Sequence, residues 1–87
     1  MREQQIQTKI RKRLESEGWS VIKLIKTSMN GIPDLMCLKD GVTMFVEVKQ
    51  EKGKLSTLQK ERIYGLRKKG FTVHVWTDYA TPFDETR

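Results

Sequence analysis

The sequence predicts an α/β fold with two helices and four strands in the order α-β-β-β-α-β. Three observations carry this. Ile6, Ile10 and Leu14 recur every four positions, Asp40-Gly41 sits between two apolar runs, and a capped helical segment from Ser56 leads into the alternation of Phe71, Val73 and Val75.

Residues 3–17 form the first helix, its apolar stripe ending before Gly18, where a left-handed residue closes a helix. Residues 19–26 are rich in β-branched side chains and partly alternate, as a strand does. Thr27 to Pro33 is a loop of turn formers, and Pro33 sets the chain extended for a strand over residues 34–39. Asp40-Gly41 predicts a two-residue hairpin turn, with residues 42–49 returning as the next strand. Ser56-Thr57-Leu58-Gln59 has the form of a capping box opening the second helix, which closes at Gly70 after Arg67-Lys68-Lys69. Residues 71–76 give the last strand, and residues 77–87 a tail or short terminal element. No internal repeat or linker divides the 87 residues, so a single domain over 1–87 is expected.

Composition narrows the function classes. No apolar run nears the roughly 20 residues of a membrane span, and the first residues lack a signal peptide's apolar stretch. A soluble, intracellular chain is expected. The lone Cys37 has no partner for a disulfide or a thiolate zinc site, and reads as a small apolar strand residue. Net charge is +6, which favours an acidic partner, nucleic acid first. By segment the charge is +4 over residues 1–26, −1 over 27–50, +5 over 51–70 and −2 over 71–87. Two basic stretches therefore flank a segment that keeps Asp34, Asp40 and Glu47, which simple phosphate binding does not require.

With a two-residue turn at Asp40-Gly41, Lys39 faces Val42 and, farther along, Asp34 faces Glu47. Opposed Cβ atoms lie roughly 4.5–5.5 Å apart, and like charges there are destabilising unless compensated. A three-residue loop with a glycine bulge would shift this register by one. A divalent cation is the obvious compensation, because Mg²⁺ is held by one or two carboxylates plus water and phosphate. Glu47 and Lys49 emerge from one face of their strand, placing a cation beside the acids. Taken alone, Glu47-Val48-Lys49 would be a solvated ion pair of little worth. Gln59 is a capping partner that also lies along the apolar stripe of its helix, about 20° from Leu66. Glu3 lies about 20° from Ile10 around the first helix, although a first turn is also an ordinary place for an acid.

Gly31-Ile32-Pro33-Asp34, Phe45-Val46-Glu47-Val48-Lys49 and Ser56-Thr57-Leu58-Gln59, with Glu3 and Gly18, resemble the virus-type replication-repair nuclease (VRR-Nuc) domain of the PD-(D/E)xK nuclease superfamily, over about residues 3–76. The resemblance implies a restriction-endonuclease-like core, a central mixed sheet flanked by helices. It implies that Asp34, Glu47 and the Val48 carbonyl bind Mg²⁺, with Mn²⁺ as substitute, and that Glu3 approaches the metals from the first helix. Lys49 would position or activate the attacking water, and Gln59 would support Lys49 or the water. It further implies a DNA endonuclease leaving 5′-phosphate and 3′-hydroxyl ends, in the stand-alone phage-like form a homodimer that resolves Holliday junctions. A cytoplasmic location follows, the host's cytoplasm if phage-encoded, with neither membrane nor organic cofactor involved. Lys9, Arg11, Lys12 and Arg13, Lys52 and Lys54, and Lys60, Arg62, Arg67, Lys68 and Lys69 become candidates for gripping DNA backbone. Two other readings stand beside this one: a nuclease of flaps, nicks or single strands within a replication assembly, and a non-catalytic DNA-binding module. Trp19, Phe71 and Trp76 are expected in the core or a dimer interface, and His74 as a plain strand residue.

Overall fold

A computed structural model describes residues 1–87. In chain order it contains helix α1 (Glu3–Ser16), strands β1 (Ser20–Lys23), β2 (Leu35–Lys39) and β3 (Val42–Val48), helix α2 (Thr57–Lys68), and strands β4 (Thr72–Asp78) and β5 (Thr81–Pro82). The five strands form one mixed sheet in the order β1-β2-β3-β4-β5. β1, β2 and β3 pair antiparallel, β3 and β4 run parallel across the α2 crossover, and β5 turns back antiparallel on β4. The expected element order is present, with β5 as the short terminal element. No helix is long and apolar enough to cross a membrane.

Asp40 and Gly41 both have positive φ, 49° and 77°, as a type I′ turn requires, and no bulge interrupts the register that follows. Leu35 faces Val46 and Lys39 faces Val42, so the next pair beyond the ladder is Asp34 with Glu47. All four expected strands change length, β2 opening at Leu35 rather than at residue 34 and the other three for reasons visible in the pairing. β1 stops at Lys23 because its partner β2 starts only at Leu35, after Pro33, although the Leu24 amide still donates to the Asp34 carbonyl at 2.8 Å. β3 ends at Val48, with the Lys49 amide donating to the Trp76 carbonyl at 2.9 Å. β4 runs on to Asp78 because β5 pairs with its far edge.

Alternation along the strands divides the core between the two faces of the sheet. On one face Met44, Val46 and Val48 join Leu35, Cys37 and Trp76 beneath Ile6, Ile10 and Leu14 of α1. On the other, Val73 and Val75 meet Ile63 of α2 with Leu55 and Phe83, flanked by Phe45 and Leu66. The sheet is thus held between two helices, each fixed by its own apolar stripe, with about 1.5–3 kcal/mol from each fully buried aliphatic side chain. Trp76 is buried and stacks on His74, while Trp19 only borders the core and Phe71 stays 40% exposed, edge-on to Phe45.

Cys37 is fully buried beneath α1, and the loss of solvation pushes its thiol up to about 11. Ellman's reagent at pH 8 should therefore modify the native protein at least about 100-fold more slowly than the urea-unfolded chain. Comparable rates in the two states would contradict this packing.

Candidate active site

Asp34 leaves the loop one residue before β2 and shares the α2-side face of the sheet with Glu47. The Val48 amide donates to Asp34 Oδ2 at 2.9 Å, which ties the carboxylate to the neighbouring strand. Glu47 is the one buried charged residue, 2% exposed, and its Oε1 has no hydrogen-bond partner. Burial, then the adjacent Asp34 carboxylate, push the Glu47 carboxyl from 4.5 up to about 9. Lys49 opposes that shift only in part. Near neutral pH Glu47 therefore keeps a proton unless a cation takes its place.

This pair fits a divalent metal. The donors are all oxygen, two carboxyls meet across adjacent strands, and one buried oxygen is left without a partner. No three Asp, Glu, His or Cys side chains gather as a ligand cluster, so Glu3 does not join the pair as a third carboxylate. Its Oε1 instead lies 3.8 Å from Lys49 Nζ, on a lysine whose side chain is only 12% exposed. Lys49 is thereby held between Glu3 and the strand that carries Glu47. The packing of α1 across the sheet brings residue 3 within reach of residue 49.

Gln59 performs the capping role. Ser56 N donates to Gln59 Oε1 at 2.9 Å and Gln59 N donates to Ser56 Oγ at 3.1 Å. Its Nε2 donor makes no internal hydrogen bond and belongs to a side chain lining an open cleft of about 490 Å³ that also holds Asp34. One residue from the first turn of each helix thus lies near the acid pair, Glu3 of α1 beside Lys49 and Gln59 of α2 in the cleft with Asp34. Residues 24–27 and 29–32 complete the cleft wall. Spacing did not single these residues out, because a loop carries no periodicity. The available signal was a large apolar side chain, Met29, in a segment of turn formers, whereas Ile25 falls within the strand expected over residues 19–26.

The basic residues divide by face. Lys9, Lys12 and Arg13 border a recess with Asp78 and Tyr79, where Lys9 reaches Asp78 at 3.7 Å. Arg13 bonds Glu17 at 3.1 Å, and Glu17 also accepts the Tyr79 hydroxyl at 2.6 Å. Arg11 is half-buried with its Nε unpartnered. On α2, Arg62 Nε donates to the Asn30 carbonyl at 2.9 Å, and Lys60 lines a small cavity with Tyr64 and Glu85. Arg67 is engaged within the fold by the Glu85 carboxylate, at 2.8 Å, and the Val73 carbonyl. Lys52 and Lys54 stand exposed in the loop after β3, as do Lys68 and Lys69 at the end of α2.

The Glu47 shift has a definite sign. Its folded-state value of about 9 lies above the ordinary 4.5, so the stability it contributes is complete at low pH and is lost as pH rises between these values. In EDTA, Glu47→Gln should unfold about 1–3 kcal/mol harder than wild type at pH 8, with the gap closing toward pH 5. Equal destabilisation by the glutamine at both pH values would contradict the buried, uncompensated carboxyl.

No curated protein matches the chain in sequence. Among solved structures, one described as a VRR_NUC domain is similar at a TM-score of 0.80 and 35% identity, covering 88% of this chain and 85% of that one. A profile of the VRR-NUC domain matches residues 1–77. With this fold and this pair of acids facing each other at a strand end, followed by a lysine, the chain belongs to the VRR-NUC domain family, nuclease domains of the PD-(D/E)xK type.

Proposed function

We propose that residues 1–87 form one catalytic domain, a divalent-metal-dependent endonuclease that cuts branched DNA, four-way junctions foremost, as a homodimer. The observation that carries the metal dependence is the buried Glu47 carboxyl, unpartnered at Oε1 and opposite Asp34. When bound at Asp34, Glu47 and the Val48 carbonyl, Mg²⁺ or Mn²⁺ supplies Lewis-acid activation of water and neutralises charge growing on the phosphate.

The remaining work falls to the chain's own side chains. Glu47 gives up its carboxyl proton as the site is loaded. Lys49, held near Glu3, presents its ammonium to the attacking water or to a non-bridging phosphate oxygen. Gln59 Nε2 supports Lys49 or the water from the start of α2. Glu3 acts through Lys49 by holding it in place. Lys52, Lys54, Lys60, Arg62, Lys9, Arg11, Lys12 and Arg13 grip backbone phosphates without reading sequence, Lys9 and Arg13 by exchanging exposed intramolecular partners for phosphate. One chain carries one such site, and two symmetrical cuts in a junction call for a two-fold pair of chains.

With Mg²⁺, the protein should cleave a four-way junction. Asp34→Ala, Glu47→Ala and Lys49→Ala should each lose about 10²-fold or more of that rate while remaining folded by circular dichroism, and Gln59→Ala about tenfold. Junction, flap, nicked, single-stranded and duplex substrates, assayed side by side on a sample of measured mass, define the substrate. Preference for flaps, nicks or single strands would replace the junction reading. Wild-type rates from Glu47→Ala would overturn the metal site at Asp34 and Glu47, and metal-independent binding without cleavage would leave only a DNA-binding module.

A further inference from the structure

The loop between β1 and β2 holds two large apolar side chains out of the core. Ile25 is 77% exposed and Met29 48%, and both line the open cleft that contains Asp34 and Gln59. This loop is secured to the catalytic elements at both ends. The Leu24 amide donates to the Asp34 carbonyl at 2.8 Å, and Arg62 of α2 donates to the Asn30 carbonyl at 2.9 Å. Within the loop Thr27 Oγ1 donates to the Met29 carbonyl at 2.6 Å. Gly31, at φ +79°, lets it lie so close to α2 that a Cβ there would meet Leu58 Cγ at 2.7 Å. Ile25 and Met29 are therefore presented beside Asp34 by a built support.

Lys23 at the end of β1 and Lys26 in the loop bracket Ile25, so this segment offers cations for phosphate and apolar groups for something else. On nucleic acid the apolar target is a base face, and regular duplex hides base faces in its stack. A two-fold contact through this loop would bring two copies of the same lysine-bearing patch together. A polyanion with an unstacked base matches both features of the loop.

We propose that Ile25 and Met29 form an apolar wedge that packs against unstacked bases at a branch point and so presents the adjoining strand to Asp34 and Glu47. This rests on the reading of the chain as a DNA nuclease, and it names the structural feature of DNA that the site selects. Both residues are positioning residues: they touch bases near the cut and leave the reacting atoms to others.

The test uses the full chain with a four-way junction carrying 2-aminopurine at the branch. Binding is followed by fluorescence in Ca²⁺ and cleavage in Mg²⁺. Wild type should raise the fluorescence as the base unstacks. The double variant Ile25→Ser/Met29→Ser should lose that rise and cleave about tenfold more slowly, while Tyr64→Ser, which removes an exposed aromatic group elsewhere, behaves as wild type. Unstacking and cleavage by the double variant at wild-type levels would overturn the wedge and leave the nuclease reading intact. A change in the double variant's mass in solution would overturn it in favour of a contact between copies. Neither binding nor cleavage of DNA by wild type would overturn both readings.

Discussion

A carboxyl that the fold buries beside a second carboxyl has two ways to persist, a proton or a cation. Glu47 is in that position, with Oε1 unpartnered and Asp34 beside it, and its carboxyl is raised to about 9. A glutamine or a valine on β3 would be cheaper for folding, since an uncompensated buried charge is among the larger destabilising features a small domain can carry. The Asp40-Gly41 turn sets the register that opposes the two acids. The two apolar stripes then bring the first turns of α1 and α2 to the same end of β3, where Glu3 and Gln59 border the pair.

The position of the site follows from the topology. β3 is the strand at which antiparallel pairing gives way to parallel pairing, because the chain leaves it through α2 and returns as β4. The carboxyl end of such a strand is open to solvent while its body is covered on both faces, which suits a ligand site. Glu47 and Lys49 straddle that boundary: one is within the sheet and buried, the other just beyond it and partly exposed. The strand end therefore supplies a desolvated acid and an accessible cation two residues apart.

Much of this was legible in the sequence because it is local or periodic. The turn pair Asp40-Gly41 dictates cross-strand partners by counting, and Ser56 with Gln59 marks the start of α2 through bonds three residues long. Long-range placements were legible only as directions. Helical angle put Glu3 on the buried side of α1, but its contact with Lys49 depends on how α1 crosses the sheet. β1 is shorter than its β-branched run predicts because its length is set by where β2 begins. Arg67 looked like one more surface cation, and nothing short of the fold shows that it is engaged by Glu85 and the Val73 carbonyl. The cleft wall from Leu24 to Asn30 was illegible, since irregular loops are shaped by their anchors, here Asp34, Leu58 and Arg62.

The Glu47 carboxyl, raised to about 9, should exchange its proton for a divalent cation held together with Asp34. Calorimetric titration of the free protein with Mn²⁺ at pH 7.5, in two buffers of different ionisation enthalpy, counts protons released per cation bound. Wild type should release about one proton, and Asp34→Asn should lose both binding and release. Cation binding without proton release, or no binding to wild type, would contradict this exchange.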